Sequence, residues 1–404
     1  MPNIQFKGVP FQEAIDHIQQ KVKVPTERWD QMMGEAHSKA FTVAGAVKAE
    51  LLRDLHDDIT QAIANGESIG QFRSRFSETV NKHGWSYNGD FGWRTRTIYD
   101  TNMRTAHMAG RWKQIERKKA TRPYIIYRTV GDERVRWEHS SWHNLALKVD
   151  DPFWNTHYPP NGWGCRCYVV SATKKQAEKL GAEITENPGI ERTERVNETT
   201  GEVYGEVPIG IDTGWDYNVG KAWLGPDIAF GQKLQQLPPA LKKSALQDID
   251  TDAIAKSWQS WLKQVDAAPH AKGYAHTVGY LSHQVIETLA TKEIVPKSAA
   301  VIIYDSQLPH LRGEHKGKSR SIPEDWLQQL PIHLRNYQAV LIHKQSGNVV
   351  FVLPGDAGGK KGRAVVEINF KKKGQFINSV RSLGIVDIKN LRQKDYELIE
   401  GELE

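Results

Sequence analysis

Apolar residues Leu52, Leu55, Ile59, Ala62 and Ile63 recur at steps of three and four, one stripe on a helix, and 26–65 reads as helical with Thr26 as cap. The run "ANGES" ends it, with Gly66 in the usual C-terminal position. Ser68 then caps a second helix carrying Phe72 and Phe76, and a third is predicted from about Trp93 to Lys118. At 123–130, "PYIIYRTV", the period shortens towards two with β-branched and aromatic residues, the signature of a strand. Residues 131–170, rich in Trp, His, Pro and Asn, read as a compact irregular segment. The stretch 190–208 alternates around Asn197, Thr199, Thr200 and Gly201 as a hairpin does.

A polar, proline-marked stretch at about 225–245 reads as a linker, and 252–293 again reads as helix. From Ala299 onward strand-like runs follow: "AAVIIYDS", "YQAVLIHK", "GNVVFVLP" and "RAVVEINF". A turn at Ser346-Gly347 predicts that Ala339–His343 and Val349–Leu353 pair antiparallel. The expected fold class is α+β and multidomain. Its parts are a helical N-terminal region with an irregular and β segment over 1–225, a linker and helical segment over 226–295, and a small α+β domain with an antiparallel sheet over 296–404.

At 404 residues the chain exceeds one ordinary core, and 39% hydrophobic residues with 13 Trp supply material for several. No run approaches about 18 uninterrupted apolar residues, so no membrane span is expected. The first residues, "MPNIQFKGVPFQEAI", lack the apolar core of a signal peptide, so a soluble cytoplasmic start is expected. The formal net charge of +6 is concentrated in part at Lys360, Lys361, Arg363, Lys371, Lys372 and Lys373, set against Asp356 and Glu367. That segment is either a solvated strand-turn-strand surface or a face for the phosphates of RNA or DNA.

Two cysteines cannot make a disulfide framework, which excludes a small oxidised scaffold. Both stand in "HYPPNGWGCRC", and within thirty residues the chain offers Cys165, Cys167, His139, His143 and His157. Thiolates and imidazoles are zinc's preferred ligands, although C-x-C is not finger spacing. A strained C-x-C disulfide, a Cys–His catalytic pair and a packed Trp/Pro/Cys clasp are the other readings. A second cluster, Arg96, Tyr99, Asp100, Asn102, Arg104 and Arg111, crowds the third helix as a hydrogen-bonded network, an assembly interface or a solvated face.

Four separated motifs occur in order: "R-x-x-Y-D-T-N-x-R-x-A-x-x-A-G-R" from Arg96, "D-E-R-V-R-x-x-H" from Asp132, "PPNGWGCRC" from Pro159 and "GIDTGWDYNVGKAW" from Gly210. Together they make residues 1–230 similar to the phage Mu F-like minor head proteins, the head morphogenesis family. The resemblance implies a virion component that works with portal and coat or scaffold proteins in head assembly, present in the host cytoplasm during assembly and then in the phage head. The tail resembles, in element order, the nuclease-like domains fused behind such regions, relatives of the barnase, EndoU, colicin E5/D and RelE group. That likeness implies metal-independent RNA cleavage, an immunity protein as partner, and His310, His315, Lys316, His333, Arg363, Ser379 and Arg381 as candidates for proton transfer and phosphate binding. The alternative is an inactive interaction module. No cofactor is expected beyond a structural zinc.

Overall fold

The computed structural model describes residues 11–198, 200–313, 321–355, 359–372, 374–392 and 394–403. The chain divides between Leu224 and Gly225 into two compact units, and the architecture is α+β in both.

In the first unit the apolar stripe folds as the helix Ala49–Asn65, with Leu51, Leu52, Leu55, Ile59 and Ala62 buried. The helix is shorter than the periodicity of 26–65 predicts. Residues 22–48 instead form a parallel pair of two-residue strands (Val22–Lys23 and Ala40–Phe41), a 3-10 turn at Trp29–Met32 and the short helix Glu35–Lys39. Gly34 and Gly45, at φ +70° and +86°, break the helical path there, and the apolar stripe starts only at Leu51. Ser68 caps the next helix, Ile69–His83, in a full capping box with Gln71. The third helix, Phe91–Lys118, starts where the Asp90 side chain accepts from the Trp93 N–H.

That 28-residue helix belongs to two apolar clusters. Its first half lends Ile98 to a core with Phe41, Leu52, Ile59, Phe72 and Phe76. Its second half lends Met108, Ala109, Trp112 and Ile115 to a core with Tyr127, Phe153, Trp154, Tyr158 and Trp223. The polar residues singled out on this helix are bonded locally and into the fold. Tyr99 donates to the Glu67 carbonyl, Asn102 to the Ile98 carbonyl, and Arg104 to the Cys165 carbonyl at 3.3 Å, while Arg96 is exposed.

The second core lies on a four-stranded sheet ordered Tyr168–Ala172, Tyr124–Arg128, Leu145–Lys148, Glu183–Ile184. The segment 131–170 is thus more regular than its composition suggests. It holds the helix Trp137–Ser141, the strand Leu145–Lys148 and a 3-10 turn at Pro152–Asn155. A separate hairpin pairs Arg192–Val196 with Val203–Pro208, and the helix Val219–Leu224 closes the unit.

The second unit is built on a seven-stranded sheet in the order Tyr396–Gly401, Ala339–His343, Val349–Leu353, Lys361–Lys372, Gln375–Val386, Ala300–Tyr304, Ala275–Tyr280. The predicted hairpin forms, with Ala339 opposite Val352 and Ile342 opposite Val349. One pairing is parallel, Ala300–Tyr304 beside Gln375–Val386. Residues 226–295 are not a linker outside this sheet. They form the helices Ile228–Gln236, Pro239–Gln247, Thr251–Asp266 and His283–Thr291 and the edge strand Ala275–Tyr280, which pairs antiparallel with Ala300–Tyr304. Polar lysines and glutamines mask the first two helices in the sequence, yet Phe230, Leu234, Ala245 and Leu246 are buried. Among the described residues no helix is long and apolar enough to cross a membrane.

Candidate metal centre

Strand pairing in the first unit brings the two cysteines and one histidine to the same end of the four-stranded sheet. Tyr124–Arg128 runs antiparallel to Tyr168–Ala172, with Arg128 opposite Tyr168. The chain leaving Arg128 therefore lies beside the chain about to enter Tyr168. The first carries the helix Trp137–Ser141 and hence His139; the second carries Cys165 and Cys167. Their donor atoms all lie within 4.8 Å of one another, and all three residues are buried.

The His139 Nδ1 is 3.5 Å from the Cys167 Sγ and 3.8 Å from the Cys165 Sγ. The opposite nitrogen, Nε2, lies 2.9 Å from the Gly210 carbonyl oxygen. A carbonyl only accepts, so Nε2 carries a proton and Nδ1 faces the two sulfurs. Both cysteines are free thiols, so the disulfide reading is set aside. The thiol pair behaves as a unit. The hydrogen bond from Cys167, followed by His139, holds Cys165 well below the ordinary thiol range, while that same bond and burial push Cys167 up. Burial depresses His139, but the Cys165 contact outweighs it and the net direction is up.

A polar frame surrounds the three donors. Arg136 grips Asp212 with two hydrogen bonds, Nη1 to Oδ1 at 2.8 Å and Nη2 to Oδ2 at 2.9 Å, and the Trp163 N–H donates to Oδ2 at 2.8 Å. This ion pair presses on the backbone of Gly162. A Cβ there would stand 2.6 Å from the Arg136 Nη1 and collide with the Asp212 carboxylate, which is why "PPNGWGCRC" needs glycine at that place. Arg166 pairs with Asp132 at 2.5 Å. A small cavity of about 90 Å³ adjoins the sulfurs, lined also by Val130, Arg134, Arg136, Trp163 and Arg166.

The other two histidines of the segment stand elsewhere. The His143 Nδ1 accepts from the Thr129 N–H at 3.1 Å and lies 2.8 Å from the Thr129 Oγ1, which fixes a turn. His157 stacks on Phe153 at 4.1 Å and meets Trp142 edge-on at 4.7 Å, and burial lowers its pKa to about 4. Of five residues suggested by composition, three converge. The supporting positions Gly210 and Asp212 sit inside the "GIDTGWDYNVGKAW" motif, but no spacing rule ties them to the cysteines at 165 and 167.

Among the described residues the tail candidates are spread over two short helices and two strands. Ser379 is buried, and its hydroxyl accepts from the Gln307 amide at 3.1 Å. Arg381 lies 4.3 Å over the Phe370 ring and pairs with Glu367 at 3.3 Å. His333 is half-buried against Trp326, and burial lowers its pKa. Arg363 sits within a strand, opposite Val352 and Gly384, and His310 is exposed on the short helix Leu308–Arg312. His315 and Lys316 lie outside the described residues. In the basic segment, Lys372 lies 4.0 Å over the Tyr304 ring and Lys371 is exposed; Asp356 and Lys373 lie outside the described residues.

Comparison with known proteins agrees with the order of motifs. Residues 53–170 match the family described as "Phage Mu protein F like protein". The chain is 29% identical over 381 residues to the "Putative capsid assembly protein F" of Escherichia phage Mu, covering 85% of this chain and 84% of that one. It is 31% identical over 323 residues to the Mu-like prophage FluMu F protein of Haemophilus influenzae, covering 72% of this chain and 78% of that one. No solved structure matches. With that identity over that length, the chain belongs to the phage Mu F-like protein family.

Proposed function

We propose that this chain acts in phage head assembly, as a minor head protein that contacts the portal and the coat or scaffold proteins and remains in the virion. The observation that carries this reading is the extent of the match to the phage Mu protein named for capsid assembly. The first unit holds 224 of the 404 residues, so a match over 85% of the chain necessarily runs far into the second. Both units then belong to one head protein, which favours the second as an interaction module. Trp163 and Trp29, exposed and in edge contact at 5.8 Å, give the first unit an aromatic surface suited to a protein partner. The basic hairpin Lys361–Lys372/Gln375–Val386 is a candidate contact for packaged nucleic acid.

A ribonuclease reading of the second unit, with an immunity protein as partner, lacks a gathered set of acid, base and phosphate-binding groups among the described residues. The direct experiment is sedimentation of a lysate that assembles heads. The chain is expected to travel with heads or procapsids and to remain free when the portal is absent. A chain that stays at the top of the gradient beside complete heads refutes the proposal.

A further inference from the structure

We infer that His139, Cys165 and Cys167 bind one zinc ion, which fastens the cysteine loop to the helix Trp137–Ser141. The reading stands apart from the assembly role, because it rests on the geometry and chemistry of the three side chains and their surroundings. Tetrahedral zinc, with Zn–S near 2.3 Å and Zn–N near 2.0 Å, sets sulfur-to-nitrogen separations of roughly 3.6 Å and sulfur-to-sulfur separations of about 3.8 Å. The His139 Nδ1 stands 3.5 and 3.8 Å from the two sulfurs, and no pair of donors is more than 4.8 Å apart. The three donors are thus spaced as an ion requires, with little movement left to make.

The outer contacts agree. Metal-bound imidazoles donate their other N–H to a carbonyl or carboxylate, which sets the tautomer. Here Nε2 donates to the Gly210 carbonyl and leaves Nδ1 facing the thiols. The cysteine loop is itself anchored, by Arg104 on the Cys165 carbonyl and by Asp212 on the Trp163 N–H. Charge balance points the same way. Two buried thiolates cannot both ionise side by side, but two thiolates, a neutral imidazole and a divalent ion sum to zero. The protons leave to solvent as the ion enters.

Three protein ligands leave a fourth position. It faces the 90 Å³ cavity, where Arg136 and Arg166 are held by Asp212 and Asp132. Water fits that space and would take hydrogen bonds from the cavity wall. The site therefore differs from a closed finger, whose four ligands all come from the chain.

The test is metal analysis of the full-length chain, purified under reducing conditions without chelator. About one zinc per chain is expected, falling to near zero in Cys165→Ser and in His139→Ala and unchanged in His143→Ala. Should the variants fold poorly, cobalt titrated into metal-stripped wild type is the second reading. A thiolate-to-cobalt charge-transfer band saturating at one equivalent is expected, with tetrahedral visible bands. Wild type that carries no zinc and gives no such band overturns the inference. So does zinc retained at full occupancy by both ligand variants, since the ion would then sit elsewhere.

Discussion

Replacing Gly162 with alanine tests whether the Arg136–Asp212 pair sets the shape of the cysteine loop. The added methyl would meet the Arg136 Nη1 at 2.6 Å and overlap the Asp212 carboxylate, so either the pair opens or the backbone moves. Gly162 needs no left-handed φ, so alanine gains roughly 0.4–1 kcal/mol from a less disordered unfolded chain. Against that gain stands overpacking, typically 1–3 kcal/mol. The displaced hydrogen bonds involve side chains 36% and 31% exposed, which places their loss towards the low end of the range for charged groups. The balance is a destabilisation of about 1–2 kcal/mol, or roughly 3–6 °C in melting temperature for a unit of this size. Tryptophan fluorescence follows it well, because ten of the thirteen tryptophans precede Gly225. The decisive arm is the same substitution made in Asp212→Ala. With the carboxylate gone and Arg136 free to swing, alanine at 162 becomes neutral or mildly stabilising, so the cycle yields a coupling of about 1–3 kcal/mol. An equal penalty in both backgrounds would show that the loop resists alanine for a reason unrelated to the ion pair.

Three further expectations follow from buried or separated groups. Lys21 is 2% exposed, its ammonium finds no hydrogen-bond partner among the described residues, and burial lowers its pKa to about 7. The unfolded chain therefore holds the extra proton between about pH 7 and 10.5, and stability rises with pH across that window. Lys21→Met should raise the stability at pH 7, by an amount bounded near 4–5 kcal/mol, and with it the melting temperature, and flatten the alkaline rise; an unchanged profile refutes the assignment. His157, with its pKa lowered to about 4, makes the opposite flank acid-labile: the unfolded chain takes up the proton first, so stability falls as pH drops from 6.5 towards 4. That fall is worth up to about 3 kcal/mol, and His157→Gln in metal-stripped protein should reduce it, while His17 and His37, lowered in the same direction by burial, keep the remainder. RNA incubated with the full chain should stay intact at high protein concentration; cleavage abolished by His310→Ala would restore the nuclease reading.

What the sequence disclosed and what it hid divide along the range of the forces involved. Local rules located the Ser68 cap, the Gly66 terminus, the long third helix and the hairpin at Ser346-Gly347, because each depends on neighbours within a few residues. The helix expected over 26–48 failed for the same kind of reason, since two glycines at positive φ outweigh helical neighbours. The edge strand Ala275–Tyr280 was missed because an edge strand needs only one buried face, and "AHTVGY" alternates too weakly to announce it. In the candidate site the residue types were legible and the partnership was not. His139, His143 and His157 look equivalent along the chain. The antiparallel pairing of Tyr124–Arg128 with Tyr168–Ala172 selects the first, Thr129 claims the second, and Phe153 with Trp142 encloses the third. Asp212 and the Gly210 carbonyl enter from 76 and 71 residues away, beyond the reach of any spacing rule.

The helix Phe91–Lys118 is the spine of the two largest apolar clusters in the first unit, and its length of about 42 Å ties their fates together. Neither apolar cluster can open alone, because doing so would strip half of one continuous helix of its partners. A half-helix of about 14 residues that loses such packing is marginal in water. The first unit should therefore come apart in one cooperative step, with the cysteine loop and the Leu52–Phe76 core lost together although they share no side chain.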